Sequence, residues 1–382
     1  MNFFLFFFLF NVFLSIDIPK GITEYFSENR GAFYITLQIG EPYIDKQILL
    51  DIESDYNIID ACNNQIFYSS SKKLIYRLEV QYKEVSTMSE LYSDRIRFPS
   101  SGLKIGNFHY QKLSYKPQLD VSTLSLSLGQ NSRYSIVNML YKQGCIRKKR
   151  FSFLGQFILE DYTRGKVIFG ELREETKNLQ NFSCDIKSNV TKWSCYVKRI
   201  SFVNKEKEYS YDVNNIVVLR TTENYIRVPV RFFEVLEKKI FNEYFIRKDC
   251  LFLQFKDSSH IECKCNTIDD IVLFLHFDEN KAIKLSKKFL FKQFSSQCVF
   301  QVASHLKNNE WVLGSFFLKK FITTFDYDER RVTFYTNNTE IFVDEKKERP
   351  TRSKAKYIII VMIGLLCMMN IHLIVIKANN NL

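Results

Sequence analysis

Glycine and proline are scarce, with 12 and 6 residues in a chain of 382. That excludes a collagen-like repeat and a Pro/Gly-rich low-complexity chain. No G-x-S-x-G elbow, H-E-x-x-H pair, Walker loop or G-x-G-x-x-G turn occurs, so the motif-borne hydrolase, zincin and nucleotide-binding readings fall away. No repeat of about 20–50 residues is visible, which argues against propellers and solenoids. Histidine is rare as well, with five residues. His109, His260, His276 and His305 lack motif partners and read as solvated or strand-face residues. Cys263-x-Cys265 has no second cysteine pair and no nearby His, so a zinc site is set aside. No metal and no cofactor is expected.

What is abundant is apolar and aromatic material: 46% hydrophobic residues, with 36 Phe and 21 Tyr. Such a chain folds, and its length suits two domains or lobes. Lysine and arginine exceed aspartate and glutamate by 12. This excess raises nucleic acid or an anionic membrane as partner, and the chain ends decide between them.

Phe3 to Leu14 is apolar except for Asn11, too short to span a bilayer and typical of a secretory signal, here assigned to residues 1–15. Tyr357 to Ile376 contains no Asp, Glu, Lys or Arg and is about long enough for one transmembrane helix. Together they predict a single-pass type I protein of the secretory pathway or cell surface, with residues 341–356 as juxtamembrane linker. Arg352, Lys354 and Lys356 stand on the predicted outer side and only Lys377 beyond the span, against the positive-inside tendency, which a cleaved signal overrides. The polar ending Lys377-Ala-Asn-Asn-Asn-Leu argues against a GPI signal. Nucleic acid is not an expected partner of such a chain. Three sequons, at Asn181, Asn189 and Asn337, predict glycosylation in the same compartment. With Cys367 in the span, eight other cysteines remain, an even number that suits disulfides. The run Arg147-Lys148-Lys149-Arg150 reads as a solvated turn, with an anionic glycan or lipid contact as its sharper alternative.

Between Ala32 and Tyr335 short aromatic and β-branched runs alternate with period two, as in Phe33 to Ile39 and Arg331 to Tyr335. Helical spacing is confined to pieces such as Ser135 to Gln143 and Val230 to Phe241. In the second, Pro229 precedes the helix and Val230, Phe233, Leu236 and Ile240 share a face. The reading is all-β with a few short helices. A polar stretch from Leu172 to Asn189 is the expected linker between a lobe at 30–180 and a lobe at 190–340.

One constellation carries chemistry. The segment Tyr34 to Pro42, with Ile39-Gly40-Glu41-Pro42, leads into Gln47 to Ser54 around Asp51. Gln81-Tyr82, Ser135 to Gly144, Phe151-Ser152-Phe153, Gly165 to Gly170, Trp193 with Val197 to Val203, and Trp311-Val312-Leu313-Gly314-Ser315-Phe316-Phe317-Leu318 follow in order, and the chain closes through Phe325-Asp326 and Arg331 to Phe334. Over roughly residues 30–337 this resembles the pepsin-like aspartic protease family (A1 type). The resemblance implies a bilobal β fold with an interlobe cleft that takes a peptide or protein ligand. It implies Asp51 as first dyad aspartate, Ser54 and Thr221 beside the substrate, and Tyr82 as the flap tyrosine. It also implies a disulfide in the second lobe, between Cys298 and either Cys265 or Cys263, with Cys265 preferred.

Departures from the family pattern fall on the catalytic loops. Aspartic proteolysis needs two carboxylates that share one proton. Asp51 and Ser54 stand in the first loop, but Ile52 replaces a Thr and Glu53 a Gly. Alignment on Tyr225-Ile226-Arg227-Val228-Pro229 places Arg220 at the second aspartate position, a group that stays protonated and cannot exchange the proton. An ion pair between Arg220 and Asp51 is expected. Asp212 is the alternative partner if the register slips. Lys83-Glu84-Val85 occupy the flap positions of Gly-x-Gly, so the flexible hairpin is expected to be lost. The resulting function is an inactive, membrane-tethered peptidase homologue that binds peptide or protein. The alternatives are an active aspartic endopeptidase with an atypical dyad, using Glu53 or Glu223, and a surface structural or adhesive protein.

Overall fold

A computed structural model describes residues 21–344, apart from breaks at 30–31, 56, 59–69, 83–84, 114–124, 131, 156–163, 173–175, 177, 205–206, 256, 278–280, 306–308 and 337–341. The expected signal at 1–15, the expected span at 357–376, most of the linker, Asn337, Cys62 and Cys367 lie outside the described residues. Among the described residues no helix is long and apolar enough to cross a membrane.

The fold is mostly β and bilobal, with a few short helices, built on two extended sheets. Alternation forms the strands: in Ala32–Ile39 the side chains of Phe33, Ile35, Leu37 and Ile39 are buried and the residues between them half-exposed. The first sheet runs through neighbours Gln180–Asp185, Arg331–Thr336, Ile322–Asp326, Arg150–Leu154, Arg164–Gly170, Gly21–Asn29, Ala32–Ile39, Ile44–Asp51 and Ser125–Ser127. Strands from both ends of the described chain therefore meet in one sheet. Their seam is aromatic: Phe151 stacks on Phe325 at 4.5 Å, and Trp193 meets Phe325 edge-on at 5.2 Å. Part of the polar stretch expected as a linker is itself a strand, because Phe182 and Cys184 alternate inward and pair with Phe334 and Val332.

The second sheet contains Ser194–Asn204, Lys207–Leu219, Ile226–Pro229, Trp311–Leu313 and the strands packed on them. The first expected helix forms over Ile136–Lys142, with Ser135 Oγ accepting from Asn138 N at 3.2 Å as N-cap. The second starts after Pro229 as Val230–Leu236 and continues through a π-helical turn at Glu237–Phe241 into Asn242–Ile246. Phe233, Leu236 and Ile240 are buried as their spacing predicts.

Among the described residues three disulfides form: Cys184–Cys195, Cys250–Cys263 and Cys265–Cys298. The choice left open at Cys298 resolves to Cys265: Cys263 is opposite both Cys250 and Cys298 in the register, but its sulfur bonds Cys250. Cys145 keeps its thiol, whose pKa burial raises. The flap expectation is corrected: Lys73–Tyr82 and Val85–Arg97 pair antiparallel up to Tyr82↔Val85, so a hairpin persists without the glycines. The basic run at 147–150 is largely neutralised, with Lys148 on Glu171 at 3.6 Å, Lys149 on Asp328 at 3.3 Å, and Arg150 on Asp326 and Glu329.

Candidate active site

Each sheet presents the same device where it faces the other. In the first, Ile44–Asp51 runs parallel to Ser125–Ser127, with Asp51 opposite Ser127. In the second, Lys207–Leu219 runs parallel to Trp311–Leu313, with Leu219 opposite Leu313. A loop leaves each long strand and is clamped by a glycine that no side chain could replace. At Gly129 an added Cβ would come within 2.5 Å of Ser54 O, and at Gly314 within 2.4 Å of Glu223 O. Counted back from the clamped carbonyls of Ser54 and Glu223, Asp51 corresponds to Arg220, Ile52 to Thr221 and Glu53 to Thr222. Asp212 is excluded as the counterpart, because it lies within the long strand opposite Arg199.

In the first loop Asp51 Oδ1 accepts from the backbone N–H groups of Glu53 at 2.9 Å and Ser54 at 3.3 Å, contacts that favour the carboxylate. Ser127 Oγ donates to Ser54 O at 2.5 Å, and Leu128 N donates to Asp51 O at 2.9 Å. Trp193 Nε1 and Tyr327 Oη both donate to Leu128 O, at 2.8 and 3.0 Å, which ties this loop to the second half of the chain. Thr221, fully buried, donates from Oγ1 to Leu50 O at 2.5 Å. The reciprocal bond needs a hydroxyl at position 52, where Ile52 is buried instead. Half of a symmetric cross-link between the loops survives.

The guanidinium of Arg220 closes on two carboxylates. Its Nε lies 2.8 Å from Glu53 Oε2, an ion pair rather than a well-directed hydrogen bond, and Nη2 donates to Glu310 Oε2 at 2.5 Å. Lys192 Nζ completes the group, 3.2 Å from Glu310 and 3.7 Å from Glu53. The expectation of an Arg220–Asp51 pair is thus revised: the partners seen are Glu53, from Asp51's own loop, and Glu310. Burial alone would lower the Arg220 pKa, but the Glu53 and Glu310 carboxylates outweigh it and hold it above the ordinary arginine value. The two acids considered as substitutes for the missing aspartate are both engaged, Glu53 by Arg220 and Glu223 by Arg227 Nε at 2.8 Å.

Beyond Glu223 the loop continues into Tyr225, whose pKa is raised by burial. Its ring meets His260 edge-on at 4.6 Å. His260 is buried rather than solvated, and burial followed by the Arg227 charge lowers its pKa to about 4. His276 is likewise buried, with Nε2 2.7 Å from Ser201 Oγ. Glu310 and Lys192 were not singled out in the sequence. The signal was present, since a cation placed between apolar strands requires acids nearby, and Glu310 and Lys192 immediately precede the two tryptophans that flank the loop.

A family model described as eukaryotic aspartyl protease matches residues 32–336. The chain belongs to the aspartyl protease family. Solved structures agree on the fold. An aspartic proteinase from Irpex lacteus is 13% identical, covers 83% of this chain and 97% of its own, and superposes with a TM-score of 0.64. Basic 7S globulin from soybean is 14% identical, with coverage of 85% and 99% and a TM-score of 0.65. Conglutin gamma, a basic 7S globulin from lupine seeds, is 16% identical, with coverage of 84% and 96% and a TM-score of 0.66. No curated protein sequence matches. At these identities the structural likeness speaks to the aspartyl protease fold alone.

Proposed function

We propose that this aspartyl protease homologue is catalytically inactive and works as a binding module that holds an extended peptide or protein segment in the cleft between its lobes. The observation that carries the reading is Arg220, at the counterpart position of Asp51 and bound to Glu53 and Glu310. The family reaction needs one carboxylate to accept a proton from water while another donates to the developing oxyanion. Here the first role has Asp51, and the second has a cation that neither gives nor takes a proton at working pH. A strand-like ligand would be recognised through main-chain hydrogen bonds and side-chain pockets. Tyr82 on the hairpin, Ser54 and Thr221 are the residues proposed to border it. The same reading keeps residues 30–180 and 190–340 as lobes, 1–15 as signal and 357–376 as a type I membrane anchor. Glycans would sit on Asn181, Asn189 and Asn337, of which the first two are exposed.

The test is an incubation of the full chain with an unstructured protein across about pH 3–7, with and without pepstatin. No cleavage is expected at any pH. Pepstatin-sensitive cleavage that disappears in Asp51→Ala would overturn the proposal and restore the active endopeptidase. Failure of a peptide library to compete at the cleft would favour a structural or adhesive role.

A further inference from the structure

We propose that the outer face of the sheet Cys250–Gln254, Ser258–Lys264, Gln297–Phe300 and Phe291–Phe294 docks on an anionic lipid surface. The register fixes which residues share that face. Leu251 pairs Glu262, Glu262 pairs Val299, and Val299 pairs Lys292, so these four stand in one row. Phe294, Gln297 and Lys264 form the next row on the same face, and Leu253 with His260 a third. Leu251 is 60% exposed and Phe294 52% exposed, one at each edge of the sheet. Phe255, just beyond the first strand, is also exposed and rests its ring on His260. Large apolar side chains at both margins of an open face suit insertion into a lipid boundary.

The flanking charge is basic. Lys292 lies over the Phe294 ring at 4.9 Å. The short helix Lys287–Leu290 packs against Ser315–Leu318 through Phe289, which contacts Phe316 at 5.5 Å and brings Lys288 beside Lys319 and Lys320. Lys320 spans the Phe289 and Phe316 rings at 5.6 and 5.4 Å. Burial first, and then the charges of Lys319, Lys288 and Lys292, lower the Lys320 pKa. Neither stretch, 287–294 or 315–321, contains an Asp or Glu. Among the described residues Lys288, Lys292 and Lys320 have no acidic partner, in contrast to the turn at 147–150, where three cations meet acids. On the face itself Glu262 is the acid, and Lys264 is shared with Asp249 at 3.7 Å. Long lysine stems let the ammonium groups reach headgroup phosphates while phenylalanine and leucine enter the boundary below them.

The experiment is amide hydrogen exchange on the full chain mixed with phosphatidylcholine vesicles or with vesicles carrying about 30% phosphatidylserine. A membrane anchor and its basic flank would bring the chain to the vesicles without covering residues 250–255 and 291–294, so local protection there stands apart from the tether and the inactive-peptidase reading. The expected result is slowed exchange at 250–255 and 291–294 on the anionic vesicles only, lost when salt is raised about tenfold. K288Q with K292Q should cut the anionic preference by on the order of five-fold per lysine, and L251S with F294S should abolish the slowing. Equal exchange in both arms overturns the proposal. So does protection by inorganic phosphate or a soluble sulfated polysaccharide at least as strong as that by vesicles, since the site would then be a soluble-anion site.

Discussion

Removal of the Arg220 charge is the sharpest probe of the catalytic centre. Arg220→Met keeps most of the stem and removes the cation between Glu53 and Glu310. The side chains of all three are mostly sheltered, at 21%, 24% and 23% exposure. Two unit charges about 4 Å apart attract with roughly 4 kcal/mol at an effective dielectric of about 20. Desolvation offsets much of this gain in the intact protein, but the variant leaves two sheltered carboxylates without the guanidinium between them. Loss of one partner from a buried pair costs about 3–5 kcal/mol, and the residual exposure brings the expectation here to about 2–3 kcal/mol. Glu53→Gln should cost less, about 1 kcal/mol, because Glu310 still serves the guanidinium. Urea unfolding of wild type, both single variants and the double variant gives the coupling, expected at about 1–2 kcal/mol. An unchanged midpoint in Arg220→Met, or a coupling below about 0.5 kcal/mol, would show that the ion pairs do not hold the loops together.

Three further outcomes follow from the same structure. His260 is neutral when folded, so its contribution to stability is present above its ordinary value near 6.5 and is lost as pH falls through about 4; unfolding followed over this window should show a loss of about 3 kcal/mol that His260→Gln removes. Thr221→Val deletes the donor to Leu50 O and strands a buried carbonyl, and thermal unfolding should report about 1–3 kcal/mol of destabilisation, against almost none for the exposed Thr222→Val. Cys184→Ser with Cys195→Ser should lower stability by about 2–3 kcal/mol and open the edge strand Gln180–Asp185 first, as amide exchange there would show.

Much of the fold was legible because alternation is a local property. Phe33, Ile35, Leu37 and Ile39 announce a half-buried strand without reference to any partner, and Pro229 followed by Val230, Phe233, Leu236 and Ile240 announces a helix. The loop that carries Arg220 was legible from its spacing to the following apolar strand Ile226–Pro229. What Arg220 touches was not. Glu310 is close to it only because Trp311–Leu313 runs parallel to the end of the long strand, and no local pattern carries that pairing. The persistence of the hairpin without glycine was missed for a related reason. Its register is carried along the whole of both strands, from Lys73↔Ser93 to Tyr82↔Val85, so the tip residues do not decide whether it forms. His260 read as solvated or strand-face; it lies on the strand Ser258–Lys264, and its burial was not legible because the Tyr225 ring that meets it comes from a distant segment.

The substitutions at the centre are coupled, and this bears on how far the site stands from chemistry. On the proposed reading Glu53 stands where the resembled family has glycine and Arg220 where it has aspartate, and the two side chains meet at 2.8 Å. Return of Arg220 to aspartate alone would add a carboxylate beside Asp51, Glu53 and Glu310, with Lys192 as the remaining cation of the group. Return of Glu53 to glycine alone would leave Arg220 held by Glu310, still unable to exchange a proton. A proton-sharing pair therefore needs Arg220 and Glu53 changed together, since each side chain holds the other. In the structure the loops are joined by the Thr221–Leu50 hydrogen bond and by the Arg220–Glu53 ion pair, so a change at either residue is felt in both loops.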